Sequence, residues 1–132
     1  MYNHILIPVA PEHVGAYGQA LTVTRKLLAP GGKISVLAVL ETVPAYVALP
    51  SDLAAKNLAE VAAELKSEFT DKEIETHVIS GHSANSILDW AEAHAVDCIV
   101  VSSHRPGLSD YFIGSTAARV VRHAQCPVHV LR

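Results

Sequence analysis

Hydrophobic positions along the chain switch repeatedly between two periods. His4–Val9 (His-Ile-Leu-Ile-Pro-Val) is a short, almost unbroken apolar run, which predicts a strand buried on both faces. Pro8 lies near its end, where a lost ladder donor matters least. A helix is expected over Val14–Leu28, with Ala16, Ala20, Val23, Leu27 and Leu28 on one stripe, closed by Pro30-Gly31-Gly32. Lys33–Leu40 reads as the second strand and Glu41–Pro50 as a loop. Ser51 and Asp52 then fit a helix start, with Leu53, Leu58, Val61, Leu65 and Phe69 facing inward. Glu73–Ile79 alternates, as suits a strand near an edge, and Gly81 turns the chain. Ser83 can cap a third helix that buries Ala84, Ile87, Leu88 and Ala91. Asp97–Ser102 is the most hydrophobic strand and is expected at the centre. An irregular stretch, Ser103–Ile113, leads to a fourth helix, Ser115–His123, and a last strand, Pro127–Leu131.

Strands and helices thus alternate in strict order. That order predicts an α/β fold: a five-stranded parallel open sheet, strand order 3-2-1-4-5, with four helices on its two faces. No repeat or second domain is visible, so residues 1–132 read as a single domain.

Composition narrows the class. Half of the 132 residues are hydrophobic and the formal net charge is −3, which argues against a nucleic-acid or membrane-surface binder. No apolar run is long enough to span a bilayer, and the N-terminal residues lack a secretory pattern, so a cytoplasmic location is expected. Cys98 and Cys126 lie far apart in sequence and read as free, buried, reduced thiols. The eight histidines show no metal-ligand spacing, and no acidic pair follows a strand to hold magnesium. Neither a Gly-x4-Gly-Lys-Ser/Thr loop nor a Gly-x-Ser-x-Gly elbow is present. Trp90 and Tyr111 read as packing or surface residues.

Ligands of open parallel sheets bind beyond the carboxyl ends of the strands, where strand order reverses. Here that point falls between the first and fourth strands, at Pro8-Val9-Ala10-Pro11 and Ser102-Ser103-His104-Arg105-Pro106. The second loop enters a helix through Gly114-Ser115-Thr116. A helix start offers unpaired N–H groups and partial positive charge, which suits a phosphate; Gly114 would admit close approach and Arg105 could clamp the anion. From Val100 onward there are four arginines and one acid, Asp110, so this end is locally positive. Each feature also has a plainer reading. Gly114-Ser115-Thr116 can be only a turn and cap, Arg105 a solvated charge, His104 a partner of a backbone carbonyl, and Ser102 and Ser103 the end of a strand.

At these residues the chain resembles the universal stress protein family over its whole length. The ending Arg119-Val-Val-Arg-His-Ala-Gln-Cys-Pro-Val-His-Val-Leu-Arg132 is similar to that family's last helix and strand, and Ile5-Leu-Ile-Pro-Val to its first strand. Ser103-His104-Arg105-Pro106 resembles the short, single-domain bacterial branch. ATP-binding members carry Gly-x2-Gly-x9-Gly-Ser/Thr. Here Gly114-Ser115 matches the final pair, Ser102 and Arg105 stand at the two earlier glycines, and the spacing is one residue shorter. Many members read Pro-Val-Asp where this chain has Pro8-Val9-Ala10.

The resemblance implies a Rossmann-like, adenine-nucleotide alpha-hydrolase-like fold that binds ATP or AMP, with magnesium as an optional companion. Val39 would meet the adenine through its backbone, and Ser115, Thr116 and Ala117 the phosphates. It also implies a homodimer through Val128, His129, Val130 and Leu131, with a tetramer and a protein partner left open. Two other roles remain at this point: a dimerising interaction module without nucleotide, and a slow ATPase using His104.

Overall fold

A computed structural model describes residues 1–41, 57–102 and 114–132. At its centre lies β1 (Tyr2–Val9), whose Ile5, Leu6 and Ile7 are wholly buried because the sheet is covered on both sides. The sheet runs in the order β3-β2-β1-β4-β5 with every pairing parallel, where β2 is Leu28–Glu41, β3 Ile74–Gly81, β4 Cys98–Ser102 and β5 Val128–Leu131. The strand order is the one that the alternating pattern predicts. The expected centre is not: β4 is the most apolar strand, but it lies between β1 and β5, and β1 holds the middle. Both strands are covered on two faces, so hydrophobicity alone does not separate them.

Alternate residues of each strand feed two cores. Ile5, Ile7, Val36 and Val100 pack on one face with Val61, Leu65 and Phe69 around α2 (Leu58–Glu68), and with Ala20 of α1 (Gly18–Leu27). Leu6, Leu37, Val39 and Ile99 pack on the other face against α3 (Ser83–Ala93) and α4 (Ser115–His123). Burying one such side chain contributes roughly 1.5–3 kcal/mol.

Several local expectations shift. Pro11–Ala16 forms a 3-10 turn, and α1 begins only at Gly18, so Val14 is buried from the turn while Ala16 is exposed. Proline suits the first position of that turn, its φ being already set and its missing N–H not needed there. The helix stops at Leu27, ahead of Pro30-Gly31-Gly32, which belong to a long N-terminal extension of β2. There Tyr2 pairs with Leu28 and His4 with Lys33, so the extra residues bulge, and Gly31 takes a positive φ of 77°. Thr24 replaces Leu28 on the buried stripe and bonds its hydroxyl to the Ala20 carbonyl at 2.7 Å.

The expected helix start at Ser51 and Asp52, with Leu53, lies outside the described residues, as does Tyr111. In α2 it is Asn57 that caps, its Oδ1 accepting from the Glu60 N–H at 2.9 Å. Leu58, expected inside, is 45% exposed, because it stands at the first helical position before the helix reaches the sheet. Trp90 packs in the core. Cys98 is buried, but Cys126 is only half-buried; both are free, and burial pushes the Cys98 thiol up to about 11.

Candidate functional site

Backbone direction explains why the sheet opens at its C-terminal edge. In a parallel ladder a residue turns both backbone groups to one neighbour, and successive residues alternate. The His4 N–H donates to Asp97 Oδ1 at 2.9 Å and its C=O accepts from the Asp97 N–H at 3.0 Å, so His4, Leu6 and Pro8 face β4. Pro8 has no N–H to give. Pairing between β1 and β4 accordingly ends at Leu6 with Ile99. Beyond it β1 continues with β2 as far as Val9 and Ala38, while β4 continues with β5 as far as Ser102 and Leu131. The two strands part at the point where strand order reverses.

β2 outruns β1 on the same edge. The Ile34 N–H donates to the Glu73 carbonyl at 3.2 Å, so even-numbered residues of β2 face β3 and odd-numbered ones face β1. The last β1 partner is Val9, so the carbonyl of Val39 and the backbone of Glu41 turn toward the space beyond the end of β1. The Val39 side chain itself is buried against α3 and α4. Ala10 is occupied within the chain: its N–H donates to Tyr17 Oη at 2.7 Å and its C=O accepts from the His13 N–H at 3.0 Å.

An open groove of about 370 Å³ lies here, walled by Glu41 of β2, Ser83 and Asn85 of α3, and Ser115, Thr116 and Arg119 of α4. Among the described residues no side chain caps the first turn of α4, and that turn holds no acidic residue. Its leading N–H groups thus keep hydrogen-bonding capacity and a partial positive charge. Gly114 is the cap residue at φ −58°, a conformation open to any residue, so its value there is the lack of a side chain rather than backbone freedom. Ser115 is exposed, Thr116 half-buried, and Ala117 packs its side chain into the core. Arg119 stands four residues after Ser115 on the same helix face, and its Nε–H donates to Asn85 Oδ1 at 3.1 Å.

Across the groove, Glu41 Oε1 accepts from the Ser83 N–H at 3.1 Å and the Ser83 hydroxyl at 2.5 Å. Its other oxygen lies 3.9 Å from His82 Nδ1. The Ser83 hydroxyl, then its N–H, hold the Glu41 carboxyl below its ordinary value. Ser83 is therefore the first residue of α3 and a partner of Glu41, whereas His82 takes the cap position. Gly81 has φ 153°, and a β-carbon there would run into Ser86 Oγ.

The structure brings Ser115 and Thr116 together with four residues that the sequence did not mark for a site: Glu41, Ser83, Asn85 and Arg119. The four-residue spacing of Ser115 and Arg119 was the available signal. Ser103, His104 and Arg105 lie outside the described residues. Among the described residues, no three His, Cys, Asp or Glu side chains gather as metal ligands. β5 ends the sheet, with Val128, Val130 and Leu131 half-buried and His129 exposed. No helix among the described residues is long and apolar enough to cross a membrane.

Known proteins agree with this architecture. The model of the universal stress protein family matches residues 1–132. A universal stress protein of Methanocaldococcus jannaschii is 28% identical across all of this chain and 83% of its own length. Universal stress protein G of Shigella flexneri is 27% identical, with both chains covered completely. Universal stress protein UspA from Lactobacillus plantarum superposes with a TM-score of 0.63 at 22% identity, covering 99% of this chain and 98% of its own. A universal stress protein solved with cAMP gives 0.57 at 17% identity, covering 99% and 97%. One from Archaeoglobus fulgidus, solved with dAMP, gives 0.53 at 20% identity, covering 99% and 98%.

Proposed function

The chain belongs to the universal stress protein family, and on that premise we propose that it binds an adenine nucleotide, ATP or AMP. It acts as a stress-response regulator whose dimer or partner contacts answer to nucleotide occupancy. The observation that carries this reading is the uncapped start of α4, with Ser115 and Thr116 on the wall of a groove at the C-terminal edge of the sheet. Phosphate would take the leading N–H groups of Ser115, Thr116 and Ala117 beside Gly114. Adenine would meet the carbonyl of Val39, which faces past the end of β1. The nucleotide would then extend over Pro8, Val9, Ala10 and Ser102, past the point where β1 and β4 cease to pair. Structures of the same fold solved with cAMP and dAMP support an adenylate ligand.

Magnesium would arrive on the nucleotide's phosphates, since Ala10 offers no carboxylate at the end of β1. The half-buried Val128, Val130 and Leu131 of β5 suit pairing with a second copy along the sheet edge, from which a tetramer could be built.

The test is isothermal titration of ATP and AMP, with magnesium, into protein stripped of nucleotide. Micromolar binding is expected, weakened at least about tenfold in Gly114→Val, where a branched side chain obstructs the anion's approach. A silent titration with both nucleotides, and no thermal shift, overturns the reading. The role of a dimeric interaction module would then stand, in keeping with an Ala10 whose backbone groups are already used inside the chain.

A further inference from the structure

We infer that Glu41, braced by Ser83, forms a ribose-reading subsite that distinguishes ribonucleotides from their deoxy forms; this rests on the nucleotide-binding reading above. Three observations meet at this residue. Glu41 is the last residue of β2, two places beyond the Val39 carbonyl, and shares its groove with the start of α4. Along the sheet edge the chain therefore offers groups for base, sugar and phosphate in the order in which a nucleotide carries them.

The hydrogen bonding is lopsided. Both Ser83 donors, the N–H at 3.1 Å and the hydroxyl at 2.5 Å, converge on Oε1. That fixes the carboxylate's orientation. Oε2 has His82 Nδ1 at 3.9 Å, beyond hydrogen-bond range, so its lone pairs remain available to hydroxyl donors. An ionised carboxylate only accepts, and a ribose 2′- or 3′-hydroxyl is the donor it needs. In doubly wound nucleotide folds, an acid in the corresponding region accepts from the ribose 2′-hydroxyl.

Charge gives the subsite a direction. A carboxylate repels phosphate, so Glu41 disfavours the reversed ligand and leaves the anion to α4 and Arg119. Glu41 also caps α3, but one oxygen suffices for that, and a cap alone would carry no preference among sugars.

The experiment compares AMP, 2′-deoxyAMP and 3′-deoxyAMP by titration calorimetry, in the wild type, Glu41→Gln and Glu41→Ala, with a thermal melt of each. In the wild type at least one deoxy form should bind about tenfold more weakly, the worth of one hydrogen bond to a charged acceptor. In Glu41→Ala the three affinities should converge to within about threefold. Glu41→Gln keeps an oxygen for Ser83 while turning the other acceptor into a donor. Its amide can still donate to the hydroxyl oxygen, but a neutral bond is worth less than one to a charged acceptor. The preference should therefore fall severalfold with the melting temperature nearly unchanged, which covers the case of an unfolded Glu41→Ala. Equal binding of all three nucleotides by the wild type overturns the ribose assignment and leaves nucleotide binding standing, and so does a preference that survives undiminished in Glu41→Gln. Failure of the wild type to bind AMP at all removes the underlying reading, and this inference with it.

Discussion

At its C-terminal end α3 meets a cluster of rings, and at its N-terminal end an open groove. In the cluster, the Trp90 indole stacks on His94 at 3.8 Å and 15°, with His77 tilted at 5.0 Å and His4 edge-on at 6.1 Å. His4 is almost fully buried; its Nδ1–H donates to the His94 carbonyl at 3.0 Å and its Nε2 accepts from the Ser35 hydroxyl at 2.7 Å. That pairing fixes the neutral tautomer. The His94 ring in turn donates to the Trp90 carbonyl at 2.8 Å. In the groove, Glu41 uses one oxygen and Arg119 one N–H within the chain. Both ends are rich in polar groups. What separates His4 and His94 from the groove is spare capacity. Both His4 nitrogens and His94 Nδ1 are paired within the chain and hold the helix to the sheet, although the buried His77 Nε2 beside them has no hydrogen-bond partner. Accessible groups with donors or acceptors left over can instead recognise a ligand.

Substitutions should separate the two ends cleanly. The largest effect belongs to the cluster. His4→Ala leaves the buried Ser35 hydroxyl without that partner, takes a donor from the His94 carbonyl and opens a gap beside Trp90, and should lower unfolding stability by about 3 kcal/mol in urea titrations. Nucleotide affinity of the remaining folded protein should not change. Equal losses of both would mean that the two ends are not independent.

Next comes the groove. Thr116→Val keeps size and shape but loses a hydroxyl at the proposed phosphate site, so AMP affinity should fall about tenfold while the urea midpoint stays put. A stability loss without an affinity loss would place Thr116 among the structural residues instead.

The smallest effect is a pH dependence confined to the cluster. Burial, before any charge, lowers the His4 pKa from 6.5; Lys33 lowers it further, while the His94 carbonyl, Glu75 and Asp97 oppose. The folded state thus binds fewer protons than the unfolded chain. This stability is fully present above about pH 6.5 and is lost as pH falls from there through the lower folded value. For a single proton the slope never exceeds about 1.4 kcal/mol per pH unit. Melting curves from pH 7.5 to 5 should show it, and His4→Gln should flatten it. An unchanged slope in that variant would show that His4 is not its source.

Much of the fold was legible in residue order. The run Ile5-Leu6-Ile7 had to be a strand covered twice, and the alternation of Glu73–Ile79 had to lie near an edge, as β3 does. Ser115–His123 matched its helix to the residue, because Gly114 and Ala124 flank a continuous amphipathic stretch. The misplaced boundaries share a cause. Val14–Leu28 was expected as one helix, but Pro11 starts a tighter turn and Leu28 pairs with Tyr2, a partner distant in sequence. Leu58 likewise fits the apolar stripe of α2 yet stands where the helix has not reached the sheet.

Of the candidate site, the sequence determined the local parts: a helix start at Gly114-Ser115-Thr116, a missing backbone donor at Pro8 near the end of the first strand, and an alternation of elements that implies the switch in strand order. The first two follow from covalent chemistry and short-range pattern, whereas the facing of Pro8 toward β4 came only with strand pairing. Only the tertiary structure decided that Glu41 turns its carboxylate onto Ser83, 42 residues away, and that Arg119 leans on Asn85, 34 residues away. Likewise it drew His4 to Ser35 and His94. Such pairs depend on which strands and helices become neighbours, and no local pattern records a polar group's partner across the sheet.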